Sequence, residues 1–403
     1  MRNSRYKRPR DTKVFHASPN SALPRSGGEN TRGLTSLFCI FIAGLLVLFL
    51  VLPRQTFSNE ERRTLRSAPV LSTDTVFDGR FEDESEKYIS DHFPLRLFFV
   101  GLNSYMNLAT GRTLINGVYV GKNEWFMQEP VVLDEANLEA NMSAVQEYAA
   151  ALGVPATVLA VPATGYVMES ELPDVHMPYE EMAIRQAAQD DMGGDTRWLD
   201  VLPALEDACR TEQVYYRTDH HWTTPGAYTA YVAWAQEHGL APAARDEFTI
   251  ESYGGFLGTT YAKVLLWNVA PDTVEIWQYP ADVTVTTMDA DNGMEPVVTN
   301  SFYDMDQLEG YDPYAVFFGG NHSVVRIENH AEGAAGRLLV VKDSYANSLL
   351  PFLARHYAEI VVIDPRYYRD IGPFLANEGA FDEVLFVYGT GQLVDDQDLG
   401  RGI

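Results

Sequence analysis

The 403-residue chain is 46% hydrophobic, enough for one large domain or two moderate ones. Its formal net charge of −26 is uneven: residues 1–53 carry eight Lys/Arg against two acids, the rest 22 against 54. So acidic a body repels phosphate, which argues against a nucleic-acid partner.

Residues 1–33 are basic and polar, without periodicity, and read as a disordered cytoplasmic tail. An uncharged apolar run follows from Leu34 to Leu52. As a helix it spans about 28 Å, close to a bilayer core of about 30 Å. The sequence after it, Pro53-Arg54-Gln55-Thr56, offers no small-x-small cleavage site. Residues 34–53 are therefore predicted to be an uncleaved single-pass anchor. The basic flank stays in the cytoplasm and the body is exported. Cys39 lies in the run and Cys209 is alone in the body. An intrachain disulfide and a cysteine metal site are both out of reach. An exported body of this kind suits a bacterial cell envelope.

Residues 54–80 read as a juxtamembrane connector and residues 81–403 as the extracytoplasmic domain. Phe81–Thr110 is expected to be a helix broken at Pro94. Short strands follow at 117–121 and 124–126. A helix is predicted over Glu135–Leu152, with Leu138, Met142 and Val145 on one face. The pattern then predicts a strand at Ala156–Val161, a helix at Tyr179–Gln189, a strand at Thr196–Asp200 and a helix at Val201–Cys209. Val214-Tyr215-Tyr216 reads as a strand, and Thr224-Pro225-Gly226 opens a helix to His238. Helical spacing disappears over 245–315, where a β-rich insertion is predicted. Strands are then expected at Ala315–Phe318, Leu338–Val341, 360–363 and 383–387, with a helix over Tyr345–Tyr357. Continuous apolar runs of this kind suit buried parallel strands. The fold class expected is α/β, a doubly wound, mostly parallel sheet whose ligands bind beyond the carboxyl ends of the strands.

Two motifs fall at such ends. Asp219-His220-His221-Trp222 follows one predicted strand, and Ser344 follows another in Val341-Lys342-Asp343-Ser344. His221 could take the Ser344 proton while Asp219 holds the imidazole in the required tautomer. The competing readings are ordinary. An Asp-Ser at a strand-to-helix junction is commonly a helix cap. Asp219, His220 and His221 could instead ligate a metal, although neighbours on an extended segment point to opposite faces. His220 and Trp222 are assigned to holding the loop. In Phe317-Phe318-Gly319-Gly320-Asn321-His322, the Gly320 N–H and the Asn321 amide are candidate oxyanion donors.

The string Thr218-Asp219-His220-His221-Trp222 resembles the signature of the DHHW family of exported bacterial proteins. Asp91-His92-Phe93-Pro94-Leu95-Arg96, Gly319-Gly320-Asn321-His322 and Val341-Lys342-Asp343-Ser344-Tyr345 resemble that family's other recurring segments, in the same order. The family is similar to the SGNH-like periplasmic proteins of alginate O-acetylation. The resemblance implies that Asp219 and His221 are acid and base, that Ser344 is the nucleophile, and that His220 has no catalytic role. It also implies a membrane-bound O-acyltransferase partner that hands over an acyl group, and a polysaccharide acceptor. Here Lys342 stands where ordinary SGNH hydrolases have Gly. The expectation is an anchored serine-dependent O-acyltransferase or esterase that needs no cofactor and no metal. The alternatives are a non-catalytic glycan-binding scaffold and a metal-dependent hydrolase.

Overall fold

The computed structural model describes residues 28–401. The tail expected over 1–33 lies outside the described residues, except that the apolar helix already begins at Gly28 and runs to Val51. Its Arg32–Val51 stretch is long and apolar enough to cross a membrane. The described residues divide into two compact units, one up to residue 55 with 68–94, the other 56–67 with 95 onward. The first unit adds to the apolar helix a short helix at Thr73–Phe77, capped by Ser72, and a third at Arg80–Asp91. The connector is thus partly folded, and its Phe57–Ser58 and Arg63–Thr64 strands pair in the second unit.

The second unit is built on an eight-stranded sheet. Five strands are parallel, in the order Glu359–Ile363, Arg337–Lys342, Glu383–Gly389, Ala156–Val161 and Thr196–Trp198. Their residues alternate between two buried clusters. Leu338 and Val340 face the side that holds Trp222, Tyr231 and Trp234. Leu339 and Val341 face the Glu135–Leu152 helix through Leu138, Met142 and Tyr148. Both faces of the first four are covered, so they read as near-continuous apolar runs, whereas the edge strand Thr196–Trp198 has no fully buried residue.

The rest of the sheet departs from the expected topology. Val324–Asn329 runs antiparallel beside Glu359–Ile363, followed outward by Val283–Met288 and Val297–Thr299, also antiparallel. The sheet is mixed. The β-rich stretch over 245–315 is accordingly not one insertion. Thr249–Phe256 and Asp272–Gln278 form a separate ribbon, while Val283–Met288 enters the main sheet. In that strand Val283, Val285 and Thr287 are buried while Thr284, Thr286 and Met288 are less so, the alternation of a half-covered antiparallel strand.

Three further expectations are corrected. Val214–Tyr216 is no strand: Tyr215 makes a single bridge to Trp222, because the backbone bonds turn back on the same loop. Ala315–Phe318 belongs instead to a 3₁₀ turn over Pro313–Val316, followed by positive φ at Phe318, Gly319 and Gly320. The helix expected over Tyr345–Tyr357 is a 3₁₀ turn, Ser344–Ser348, and one short helix, Leu350–Leu353, where Pro351 removes a backbone donor.

After Arg337–Lys342 the chain goes to one neighbouring strand and then to the other. Its carboxyl end is therefore a topological switch point, where open α/β sheets hold ligands. Phe386 locks the adjoining strand into the core, edge-on to the Tyr148 ring. Phe386→Ala should cost about 3–5 kcal/mol in urea unfolding; a loss under about 1 kcal/mol would contradict this packing.

Candidate active site

Asp219, His220 and His221 lie at the tip of a loop closed by Tyr216 N–H to His221 O and Thr223 N–H to Val214 O. The tip is moored to residues 258–261. Gly258 N–H donates to the Thr218 hydroxyl at 3.1 Å, and Tyr261 N–H to Thr218 O at 3.0 Å.

Asp219 is 1% exposed, so its carboxylate must be satisfied internally. Oδ1 lies 2.5 Å from His221 Nδ1 and accepts the His221 N–H at 3.0 Å. Oδ2 accepts the Thr259 N–H at 2.6 Å and the Thr259 hydroxyl at 2.8 Å. Burial alone would raise this carboxyl's pKa. The His221 and His220 charges, with the His221 and Thr259 hydrogen bonds, outweigh burial and hold it well below the ordinary range.

His221 Nε2 lies 2.7 Å from Ser344 Oγ. The imidazole stacks on the Tyr314 ring, centroids 3.9 Å apart and planes 11° apart. Tyr314 OH in turn donates to Ser344 O at 3.2 Å. His220 packs 3.9 Å from the His221 ring. Its Nδ1 is 2.7 Å from Thr259 Oγ1. That hydroxyl gives its one proton to Asp219, so it accepts from His220. Burial and the neighbouring His221 push the His220 pKa down.

Ser344 starts the 3₁₀ turn at the switch point, and the cap is Asp343. Asp343 accepts the Tyr345 N–H at 2.9 Å and the Gly389 N–H at 2.7 Å. The capping role is thus discharged by Asp343, and the Ser344 hydroxyl is left to face His221. Trp222 is fully buried. Its Nε1 donates to Tyr345 O at 3.0 Å and Ser348 Oγ at 2.9 Å, which ties the two loops together.

The structure thus brings Asp219, His221 and Ser344 into one hydrogen-bonded chain, with His220 and Trp222 beside it. It does not bring in the other two candidates. Gly320 N–H donates to Phe317 O at 3.1 Å. Asn321 Oδ1 accepts from the buried Lys342 Nζ and from Asn347 Nδ2, both at 2.9 Å. A cavity of about 210 Å³ opens at Ser344, lined among others by Thr164, Gly165, His220, Arg366 and Gln392 but by neither Gly320 nor Asn321.

The donor atoms of Asp219, His220 and His221 lie within 4.8 Å of one another. Both His221 nitrogens are engaged, by Asp219 and by Ser344, so a shared ion would have to break that chain.

Sequence reasoning missed Thr259, Tyr314 and Gly258. A Cβ on Gly258 would lie 2.2 Å from Asp219 Cβ, so only glycine lets this loop close on the carboxylate. Gly258-Thr259-Thr260 alone looks like an ordinary helix start.

The depressed Asp219 pKa fixes the sign of a linkage. Its stabilising contribution is complete above the unfolded value of about 3.9 and is lost as pH falls through the lower folded value. The stability gap between wild type and Asp219→Asn should persist down to about pH 5 and close only in stronger acid, below the unfolded carboxylate value. A gap that has already closed at about pH 5 would contradict the assignment.

The family model of the DHHW protein matches residues 201–363. That of the SGNH hydrolase-like domain of acetyltransferase AlgX matches residues 118–253. A DHHW family protein from Eubacterium siraeum DSM 15702 superposes with a TM-score of 0.59 at 26% identity, over 71% of this chain and 94% of that one. Bacillus cereus PatB1 shares the fold, with a TM-score of 0.58 at 18% identity over 70% of this chain and 98% of its own. The probable alginate O-acetylase AlgJ of Pseudomonas syringae pv. tomato (strain ATCC BAA-871 / DC3000) is 25% identical over 227 residues, 53% of this chain and 54% of that protein. The AlgJ of Pseudomonas fluorescens is 27% identical over 212 residues, 48% of this chain and 50% of its own. The chain spans about half the length of these curated relatives. The chain is thus similar to the DHHW protein over residues 201–363 and, in an overlapping stretch, to the SGNH hydrolase-like domain of acetyltransferase AlgX over residues 118–253.

Proposed function

We propose that this chain is a membrane-anchored, extracytoplasmic O-acyltransferase or esterase that acts on a cell-surface polysaccharide through Asp219, His221 and Ser344. One observation carries the reading: the continuous path from Asp219 Oδ1 to His221 Nδ1 at 2.5 Å and from His221 Nε2 to Ser344 Oγ at 2.7 Å. The names of the AlgJ relatives, probable alginate O-acetylases, point to the same chemistry. The Arg32–Val51 stretch would hold the body against the membrane, beside a membrane-bound O-acyltransferase that supplies acyl groups.

In the first half-reaction Ser344 Oγ attacks the donor's carbonyl carbon as His221 Nε2 takes the hydroxyl proton. Collapse breaks the bond to the leaving alcohol, which receives that proton from His221. In the second half an acceptor hydroxyl loses its proton to His221 and attacks the acyl-serine, and Ser344 recovers its proton. Water in place of the acceptor gives hydrolysis. Asp219 stays ionised throughout and supports the imidazolium. The Ser344 N–H, first in its turn and without an intrahelical acceptor, is the nearest candidate for the developing oxyanion. Gly320 N–H would have to give up Phe317 O to serve there, and the Asn321 side chain is held through its Oδ1 against Lys342 and Asn347, outside the lining of the Ser344 cavity.

The full-length protein in detergent, given p-nitrophenyl acetate, should carry acetyl on Ser344 by peptide mass spectrometry. Ser344→Ala should lose the adduct and about 10³–10⁴ of the rate. Equal turnover by Ser344→Ala would sink the triad, and activity abolished by a chelator alone would favour metal chemistry.

Gly258→Ala displaces Asp219 rather than removing it. Its rate should fall by roughly 10²-fold while circular dichroism stays native. Full activity in a folded Gly258→Ala protein would show that the Asp219 position does not matter.

A further inference from the structure

The cavity at Ser344 does not end there. It shares Gln128, Glu129, Pro130, Val131, Glu180 and Asp395 with a wider groove of about 1370 Å³, which runs out past Asp134, Glu135 and Lys263. A polymer lying along this path from Ser344 outward passes Glu129, Glu180 and Asp395 first, and Asp134 and Glu135 further out. All five are exposed, and none forms an ion pair among the described residues. Two have local duties that leave charge facing outward. Asp134 caps the Glu135–Leu152 helix through the Asn137 N–H. Glu180 Oε2 accepts the Leu133 N–H at 3.3 Å. Asp395 titrates higher than usual, through burial and then the nearby Asp134, as crowded carboxylates do.

Positive charge is scarce along the same path. Arg366 at the inner end is committed to Asp364, with Nε at 2.8 Å and Nη2 at 2.6 Å. Lys263 stands alone at the outer end. A groove with one uncommitted cation among five carboxylates concentrates positive ligands and repels negative ones, within a Debye length of about 10 Å at 0.1 M salt.

We infer that the acceptor is a cationic glycan, a polymer of amino sugars with free amines, and not a uronate polymer. The inference rests on the acyl-transfer reading and adds the acceptor class to it. It also explains how acyl transfer to oxygen is kept apart from transfer to nitrogen. An amine held as ammonium against Glu129, Glu180 or Asp395 has no lone pair to offer. A neighbouring hydroxyl, deprotonated by His221, then forms the new C–O bond as the Ser344 Oγ–acyl bond breaks and Ser344 is reprotonated.

The full-length protein, acetylated with p-nitrophenyl acetate, is offered three oligosaccharides of equal length: chitosan, N-acetylated chito-oligosaccharide and oligo-mannuronate. At roughly 20 mM salt, chitosan should resolve acetyl-Ser344 at least about tenfold more efficiently than oligo-mannuronate, with the neutral oligomer between. The spread should collapse at about 0.5 M salt. The triple variant E129Q/E180Q/D395N should shrink it at low salt. Calorimetric binding of the same oligomers to Ser344→Ala should give the same order, and this arm reads the acceptor class even when no acyl-enzyme forms. Chitosan no better than the neutral or the anionic oligomer, in transfer and in binding, overturns the inference. So does a ranking indifferent to salt and to the triple variant. Failure of Ser344 to acetylate, with the binding order intact, counts against the triad alone.

Discussion

A single buried carboxylate organises the centre of this molecule. Asp219 is shut away from water, and an anion there persists only if every lone-pair direction finds a donor. The loop that carries it supplies two, the His221 ring and the His221 backbone. The 258–261 segment supplies the others from Thr259. Each donor constrains something else. The ring donor fixes the His221 tautomer and aims Nε2 at Ser344. The Thr259 donors require a backbone approach so close that position 258 has no room for a side chain. The Thr259 hydroxyl, its proton spent on Asp219, then dictates which His220 nitrogen carries hydrogen.

The second anchor is the sheet. Placing Ser344 at the switch point leaves its hydroxyl outside the strand ends while Asp343, one residue earlier, absorbs the capping duty. Cap and His221-facing hydroxyl thus fall on adjacent residues, and neither is compromised. Behind them the buried Lys342 is held by Asn321, Asn347 and Asp364. The segment thought to offer oxyanion donors is instead part of the support beneath the serine loop.

Legibility in the sequence followed the physics of each element. Strands covered on both faces announced themselves as apolar runs, and the helices between them by spacing and by Pro or Gly at their ends. Val324–Asn329 escaped because Arg326 and Glu328 interrupt its apolar residues, as expected beside half-covered antiparallel neighbours. Ala315–Phe318 looked equally apolar, yet it is buried as a turn, and no local pattern separates a buried turn from a short buried strand. Ser344 could be named because it follows the strand Arg337–Lys342, and Asp219 and His221 because an acid two residues before a histidine is itself a legible pattern, although the strand expected before them is a loop. Thr259 and Tyr314 could not. They meet His220, His221 and Asp219 only through tertiary folding, and a threonine or tyrosine in a loop carries no mark of that.

The bonds that tie the two loops run both ways: Trp222 donates to Tyr345 O and Ser348 Oγ, and Tyr345 OH donates to His220 O at 2.5 Å. The partners are separated by some 125 residues of chain. Each loop has local bonds of its own, but His221 and Ser344 meet only when these long-range contacts close, which puts their meeting late in folding. A nascent or partly unfolded chain therefore carries a histidine and a serine that have not met. On the proposed acyl-transfer reading, chemical competence is a property of the finished molecule, and an acyl donor met before folding is complete is left unspent.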